Sequence, residues 1–305
     1  MAQKLVECVP NFSEGRRPEV IDAIADAINS VPGVLLLNRH EDSDHNRSVL
    51  TFAGTPQGMI DAAFAAIAKA AEIIDMDAHQ GLHPRLGAAD VVPFVPLKGV
   101  TMDECVEMAR TLGSRVGSEL GIPVYLYQAA AARPDRVNLE DVRRGQYEGL
   151  KTAIQNDPER APDFGPRKLG KAGAVIIGAR NLLVAFNIFL TTDDVELARK
   201  IAAAVRYSSG GMRYVKALGL LVKGRAQVSM NFTDFKQTPI ARVVEMIRRE
   251  AMRYGVNIHH SELVGLMPIE ALAEAAQWYL QLEDFDASRI LETRLQGLSE
   301  IQKLE

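Results

Sequence analysis

Asp75 to Pro96, DMDAHQGLHPRLGAADVVPFVP, joins an alanine-rich helical pattern to a strand pattern, and its reading decides the fold. If Asp90 to Val95 is a strand, it closes a β-α-β-β-α-β unit begun at the N-terminus. The link before it is about 15 residues, longer than the usual 4–6, and links of that length tend to be functional or disordered. This one holds His79 and His83, two of the six histidines, together with Arg85, Asp75, Asp77 and Asp90. That composition suits an active-site loop. It suits equally a solvated loop with a histidine as hydrogen-bonding spacer. Pro93 and Pro96 in the exit strand point to an edge or an irregular pairing, because proline donates no ladder bond.

Working outward, Lys4 to Val9 reads as a strand and Pro18 to Asn29 as an amphipathic helix opened by proline. Val34 to Asn38 (VLLLN) reads as a buried strand, and Ser48 to Gly54 as the next one. The polar segment between them, through Glu41 to Arg47 (EDSDHNR), approaches the same end of the sheet. Pro56 to Ile74 is the second helix. A helix over Thr101 to Leu120 and a strand over Pro123 to Tyr127 extend the unit. After an irregular stretch the order repeats: strand Leu182 to Phe189, helix Asp193 to Ser208 with Thr192 as N-cap, strands Tyr214 to Val222 and Ala226 to Phe232, helix Pro239 to Tyr254, strand Asn257 to Val264. A helix from Pro268 to Tyr279 and a polar helical tail follow. The expected fold class is α+β, with two ferredoxin-like (βαββαβ) subdomains, residues 1–179 and 180–305.

Composition excludes several classes. The chain has 305 residues, 47% apolar and 24% charged, values of an ordinary globular protein. A net charge of −4 argues against a nucleic-acid binder. No apolar run approaches the roughly 20 residues that span a bilayer, and the N-terminus does not resemble a signal peptide. Two cysteines, Cys8 and Cys105, form no disulfide framework, so free thiols in a cytoplasmic protein are expected.

His79 and His83 stand four apart, the spacing of a helical zinc pair, but Gly81 and Pro84 interrupt any helix and no third ligand follows. No metal is expected. One imidazole is the natural proton-transfer group. Arg85 can pair with a ligand carboxylate or with Asp75, Asp77 or Asp90. Gly165 to Gly173, GPRKLGKAG, carries Arg167, Lys168 and Lys171 without a P-loop spacing. It reads as an anion-binding loop or as an exposed linker.

The blocks LVECVPNFSEG (Leu5 to Gly15), HPRLGAADVVPF (His83 to Phe94), GVTMDECV (Gly99 to Val106), PVYLY (Pro123 to Tyr127), APDFGP (Ala161 to Pro166), LVAFNI (Leu183 to Ile188), AQVSMNFTDF (Ala226 to Phe235) and ELVGLMP (Glu262 to Pro268) resemble the formiminotransferase family. The resemblance runs in order over nearly the whole chain. It implies transfer of a formimino group from N-formimino-L-glutamate to tetrahydrofolate as co-substrate, with no metal, in a homodimer of two-subdomain chains. It places the catalytic histidine at His83. It places folate binding on Gly165, Pro166, Arg167, Lys168, Leu169, Gly170, Lys171, Ala172 and Gly173, where this chain is one residue shorter than animal members and has no tryptophan. The chain stops at Glu305, so a separate cyclodeaminase is the expected partner. From charge and loop position, Asp42 or Asp44 is the candidate to steady the amidinium, and Arg47 and Arg85 the candidates for substrate carboxylates, with His79 nearby. Two other readings stay open: a formyltransferase using N-formyl-L-glutamate, and a non-catalytic folate-binding module.

Overall fold

The computed structural model describes residues 4–295, and the chain divides into two compact units between Asn181 and Leu182. In the first, β1 (Leu5–Cys8) and β2 (Asn11–Phe12) are two parts of one strand path. Pro10 breaks it, having no N–H for the ladder. Both parts lie between β4 (Arg47–Gly54) and β5 (Ala89–Lys98). β3 (Val34–Asp42) pairs with the far side of β4. α1 (Pro18–Asn29) buries Val20, Ile21, Ile24 and Ile28, one face at helical spacing. α2 (Pro56–Ile73) starts at Thr55, whose hydroxyl accepts the Gly58 N–H. The strand order β3, β4, β1/β2, β5, all antiparallel, is that of a ferredoxin-like unit.

α3 (Met102–Arg115) runs into one π-turn at Val116–Leu120. Then come β6 (Val124–Gln128), α4 (Leu139–Val142), α5 (Gln146–Asn156) and β7 (Val175–Ala179). β7, a fully buried run, is not among the strands expected from sequence. It pairs in parallel with β5 on one side and β6 on the other.

With that addition β5 is interior and not an edge, and of the two readings of its prolines the irregular pairing holds: its ladders with β1 and β2 both shift register. Pro93 and Pro96 each forfeit one ladder bond, worth about 1 kcal/mol net. Val91, Val92, Phe94 and Val95 are all buried, and each apolar side chain contributes roughly 1.5–3 kcal/mol. Burial outweighs the lost bonds. The edges of this sheet are β3 and β6. The VLLLN run of β3 was expected to be buried, but Leu35 and Leu37 are 65% and 43% exposed, because alternate residues of an edge strand face outward.

The second unit holds β8 (Val184–Leu190), α6 (Val195–Val205), β9 (Val215–Val222), β10 (Arg225–Phe232), α7 (Ile240–Arg253), β11 (Ile258–Val264) and α8 (Ile269–Leu280). The sheet order β11-β8-β10-β9 is again the antiparallel plait. Its core includes Ile188, Ile201, Val205, Val228, Met230, Phe232, Val243 and Ile247. The N-cap of α6 is Asp194, not Thr192. Its Oδ1 accepts the N–H groups of Glu196 and Leu197 at 2.9 and 3.1 Å. In the tail, residues 281–290 form turns and a short 3₁₀ turn at Ala287–Arg289 instead of the expected helix, residues 291–295 are helical, and the rest lies outside the described residues. Cys8 and Cys105 are both buried and free. Among the described residues no helix is long and apolar enough to cross a membrane.

Candidate active site

The loop after α2 is pinned at both ends. The Met76 N–H donates to the Lys171 carbonyl at 2.8 Å. At the far end, Leu86 N–H donates to Asp90 Oδ1 at 2.7 Å, and Ala88 N–H to the Ala172 carbonyl at 2.8 Å. Ser13 holds the same end, its hydroxyl donating to the Gly87 carbonyl at 2.7 Å. Gly87 has to be glycine, since a Cβ there would lie 2.2 Å from the Ala174 carbonyl oxygen. These bonds bring the turn at Ser13, the loop at His83 and the end of the Gly165–Gly173 segment together in the first unit.

Arg85, buried, organises the middle of the loop. Its Nη2 and Nη1 grip Glu148 Oε1 and Oε2 at 2.8 and 3.0 Å, a bidentate pair. Its Nε donates to His79 Nδ1 at 3.2 Å, and Nη2 also reaches the His79 carbonyl. Every guanidinium nitrogen is therefore engaged within the protein. Arg85 does not turn to Asp75, Asp77 or Asp90. Asp77 takes the Tyr147 hydroxyl and Lys151, and Asp90 takes Arg143. His79 is held from both sides, with Nε2 donating to the Asn46 carbonyl at 3.0 Å. Burial, with Arg85's charge beside it, holds the His79 imidazole below its ordinary value against the opposing pull of that bond.

The EDSDHNR segment is more ordered than a polar link. Glu41 and Asp42 end β3, Arg47 begins β4, and the turn lies between them. Asp42 Oδ1 accepts the N–H groups of Asp44 and His45, each at 3.0 Å, and Oδ2 lies 2.7 Å from His45 Nδ1. Burial raises the Asp42 carboxyl, but the His45 bonds and the Arg47 charge outweigh it, so it stays well below the usual carboxylate range. Asp44 is exposed. Asn46, in the left-handed region at φ 48°, accepts the Gly15 N–H and donates to the Gln80 carbonyl at 3.0 and 2.9 Å. The hairpin is thus stitched to the histidine loop. His45 and Asn46 were not among the candidate residues. The three-residue spacing of Asp42 and His45 within one turn was the available signal for the pair.

His83 is half-buried, and its ring hydrogen-bonds none of the described residues. Burial, followed by the charges of Arg47, Arg143, His45 and His79, holds its imidazole well below the ordinary histidine value. Such a ring is neutral at physiological pH and ready to accept a proton. Arg143, at the end of α4, is paired with Asp90, and its buried Nε has no hydrogen-bond partner among the described residues.

Two clefts flank the loop. One of about 450 Å³ is lined by Asp77, His79, Arg85, Tyr147, Glu148 and Lys151, among others. The other, about 260 Å³, is lined by Glu14, Arg16, Arg17, Asn46 and His79, among others. His83 lines neither of these two. A groove of about 290 Å³ between α7 and α8, lined by Arg242, Glu274 and Trp278 among others, lacks a histidine or any comparable cluster.

In the Gly165–Gly173 segment, Gly165 and Gly173 take left-handed φ values of 82° and 71°. Arg167, exposed, folds back onto α5: its Nε donates to the Ile154 carbonyl and its Nη2 to that of Asp157, both at 3.1 Å, satisfying the end of the helix. Lys168 and Lys171 are exposed, Lys171 standing 3.5 Å from Asp75. Gly173 bridges to Gly87, four residues past His83. Among the described residues no group of three His, Cys, Asp or Glu is placed to hold a metal ion.

Residues 5–180 match the family model described as the formiminotransferase domain, N-terminal subdomain, and residues 185–301 match that of the formiminotransferase domain. A glutamate formimidoyltransferase of Thermoplasma acidophilum is 53% identical over 302 residues, covering 98% of this chain and 99% of that one. Another, of Streptococcus pyogenes, is 48% identical, covering 96% of this chain and 99% of that one. The formimidoyltransferase-cyclodeaminase of Rattus norvegicus is 44% identical, covering 92% of this chain and 53% of that protein.

Proposed function

Because this chain belongs to the formiminotransferase family, we propose that it is a glutamate formimidoyltransferase, moving the formimino group of N-formimino-L-glutamate to N5 of tetrahydrofolate. The products are 5-formiminotetrahydrofolate and L-glutamate. The observation that carries the reading is the 53% identity over 98% of the chain to a protein of that name. The site's chemistry agrees with it. A protonated formimino group is an amidinium, already electrophilic at carbon. The reaction needs a base for the N5 proton and an acid for the departing nitrogen.

His83 is the base in this proposal. Its neutral imidazole accepts the N5 proton as the new C–N bond forms. Burial does most to keep it neutral, and the charges of Arg47 and Arg143 that add to this also favour a donor bearing two carboxylates. Asp44, exposed at the hairpin tip, is the carboxylate for the amidinium. Arg85 positions His79 and the loop; its bonds to Glu148 leave no nitrogen for a substrate. Gly165 to Gly173 takes the folate, with Lys168 and Lys171 facing solvent for its glutamate tail and Arg167 bracing the segment. In this reading residues 1–179 and 180–305 are the N- and C-terminal subdomains of a cytoplasmic homodimer, and a separate cyclodeaminase consumes the product.

A paired turnover assay tests the reaction. Tetrahydrofolate is mixed with formiminoglutamate in one cuvette and formylglutamate in another, and the folate spectrum is followed. Product from the first alone supports the proposal. Product mainly from the second replaces the donor, and silence from both with tetrahydrofolate bound leaves a binding module. His83→Ala is expected to lower kcat about 10²–10⁴-fold with KM little changed. In the unaltered enzyme kcat holds through the ordinary histidine value near 6.5 and falls only well below it, as pH drops through the lowered His83 value, because a protonated ring accepts nothing. Near-normal turnover by a folded His83→Ala variant removes His83 from the mechanism.

A further inference from the structure

We propose that His45, held by Asp42, is the acid of the reaction, giving a proton to the departing glutamate nitrogen while His83 takes one from N5. The inference rests on the transfer reaction proposed above. Three features of the geometry lead to it. Asp42 Oδ2 lies 2.7 Å from His45 Nδ1. Asp42 Oδ1 is anchored by two backbone N–H groups at 3.0 Å, so the carboxylate keeps its aim at the ring. The His45 backbone abuts the loop carrying His83, leaving no room for a Cβ on Gly81, which would lie 2.3 Å from the His45 carbonyl oxygen.

The first contact sets the tautomer. Nδ1 carries the hydrogen facing the carboxylate, and Nε2 is the nitrogen that exchanges. A carboxylate behind an imidazole orients the ring and offsets its charge when a second proton arrives. The His45 and Asp42 side chains are 16% and 23% exposed, so solvent and substrate can reach the pair. His83 has no such carboxylate bonded to it, and the groups that act on it most after burial are Arg47, Arg143, His45 and His79. Two imidazoles in unlike surroundings divide the acid and base roles.

The N5 lone pair attacks the amidinium carbon, forming the N5–C bond and a tetrahedral intermediate. N5 loses its proton to His83 Nε2 or Nδ1. His45 Nε2 delivers a proton to the glutamate nitrogen, the C–N bond to glutamate breaks, and its electron pair leaves on that nitrogen. The amidinium re-forms on N5. His83 ends protonated and His45 neutral, and solvent exchange resets both. One ring serving both roles has to shift between two nitrogens within the lifetime of the intermediate; two rings need no such movement.

The test is a kcat–pH profile with formiminoglutamate and tetrahydrofolate for the unaltered enzyme, His45→Gln and Asp42→Asn. The charged groups around the two rings are Asp42 and Arg47 on the hairpin, His79 on the loop and Arg143 at the end of α4. His45→Gln alters none of them. The unaltered profile is expected to be a bell, its low-pH limb reporting the base and its high-pH limb the acid. In His45→Gln, kcat falls about 10²-fold, the high-pH limb disappears and the low-pH limb stays. Both KM values change by less than about twofold. Asp42→Asn keeps the Oδ1 acceptor, and is expected to alter the high-pH limb alone with a smaller loss of kcat than His45→Gln. It serves as the test if His45→Gln does not fold. Loss of kcat with both limbs intact overturns the inference, as does a His45→Gln kcat within about threefold of normal. If the unaltered enzyme turns over and His83→Ala does not, those outcomes leave the main reading standing. If the unaltered enzyme is silent, the reaction itself is wrong and the inference falls with it.

Discussion

Gly81, two residues before His83, shows how closely the site is fitted. A Cβ there would meet the His45 carbonyl oxygen at 2.3 Å and Asn46 Cβ at 2.9 Å. The first neighbour is backbone and cannot swing aside. Gly81→Ala is therefore expected to push the loop off the hairpin, costing about 1–3 kcal/mol in denaturant unfolding. Turnover falls further than stability suggests, by about 10²-fold, because catalytic groups tolerate displacements well under 1 Å. Turnover within about twofold of normal would show that the loop–hairpin contact does not place His83. At this scale the sequence displays residue types and short spacings. His79 and His83 stand out in a short polar stretch, whereas the Asp42–His45 pair is marked only by its three-residue spacing and emerges from the structure. The partner of Arg85 does not. Glu148 lies 63 residues away, and nothing local separates it from Asp75, Asp77 or Asp90.

Elements begin where side chains replace missing backbone partners, and those signals are legible. α3 opens with a capping box: Thr101 Oγ1 accepts the Glu104 N–H at 3.2 Å, and Glu104 Oε2 accepts the Thr101 N–H at 2.8 Å. Thr101→Ala is expected to lower stability by about 1 kcal/mol, measured by thermal or urea unfolding, with turnover unchanged. A loss below about 0.3 kcal/mol would mean water replaces the cap at no cost. The helix α1 likewise begins at Pro18 and ends at Asn29, as its periodicity predicts. Strands are less legible. A short apolar run does not say whether it has one neighbour or two. Hence VLLLN lies at an edge, the proline-bearing β5 is an interior strand, and Val175–Ala179, a short β-branched run between glycines, is a strand next to a loop-like segment.

At the scale of the molecule, the second unit closes its own sheet, β11-β8-β10-β9, and fills its own core. A fragment of residues 182–305 is expected to unfold cooperatively on heating, followed by far-UV circular dichroism. A broad, gradual melt would mean that this core does not suffice alone. The sequence by itself determined the repeated βαββαβ order, the helix starts and the family, because periodicity, caps and long residue blocks are properties of the chain read locally. Only the tertiary structure decided that β7 enters beside β5, that Arg85 grips Glu148, and that His45 abuts the His83 loop. Those are contacts between segments distant along the chain. They depend on which surfaces packing brings within a few ångströms, and no local pattern encodes that choice.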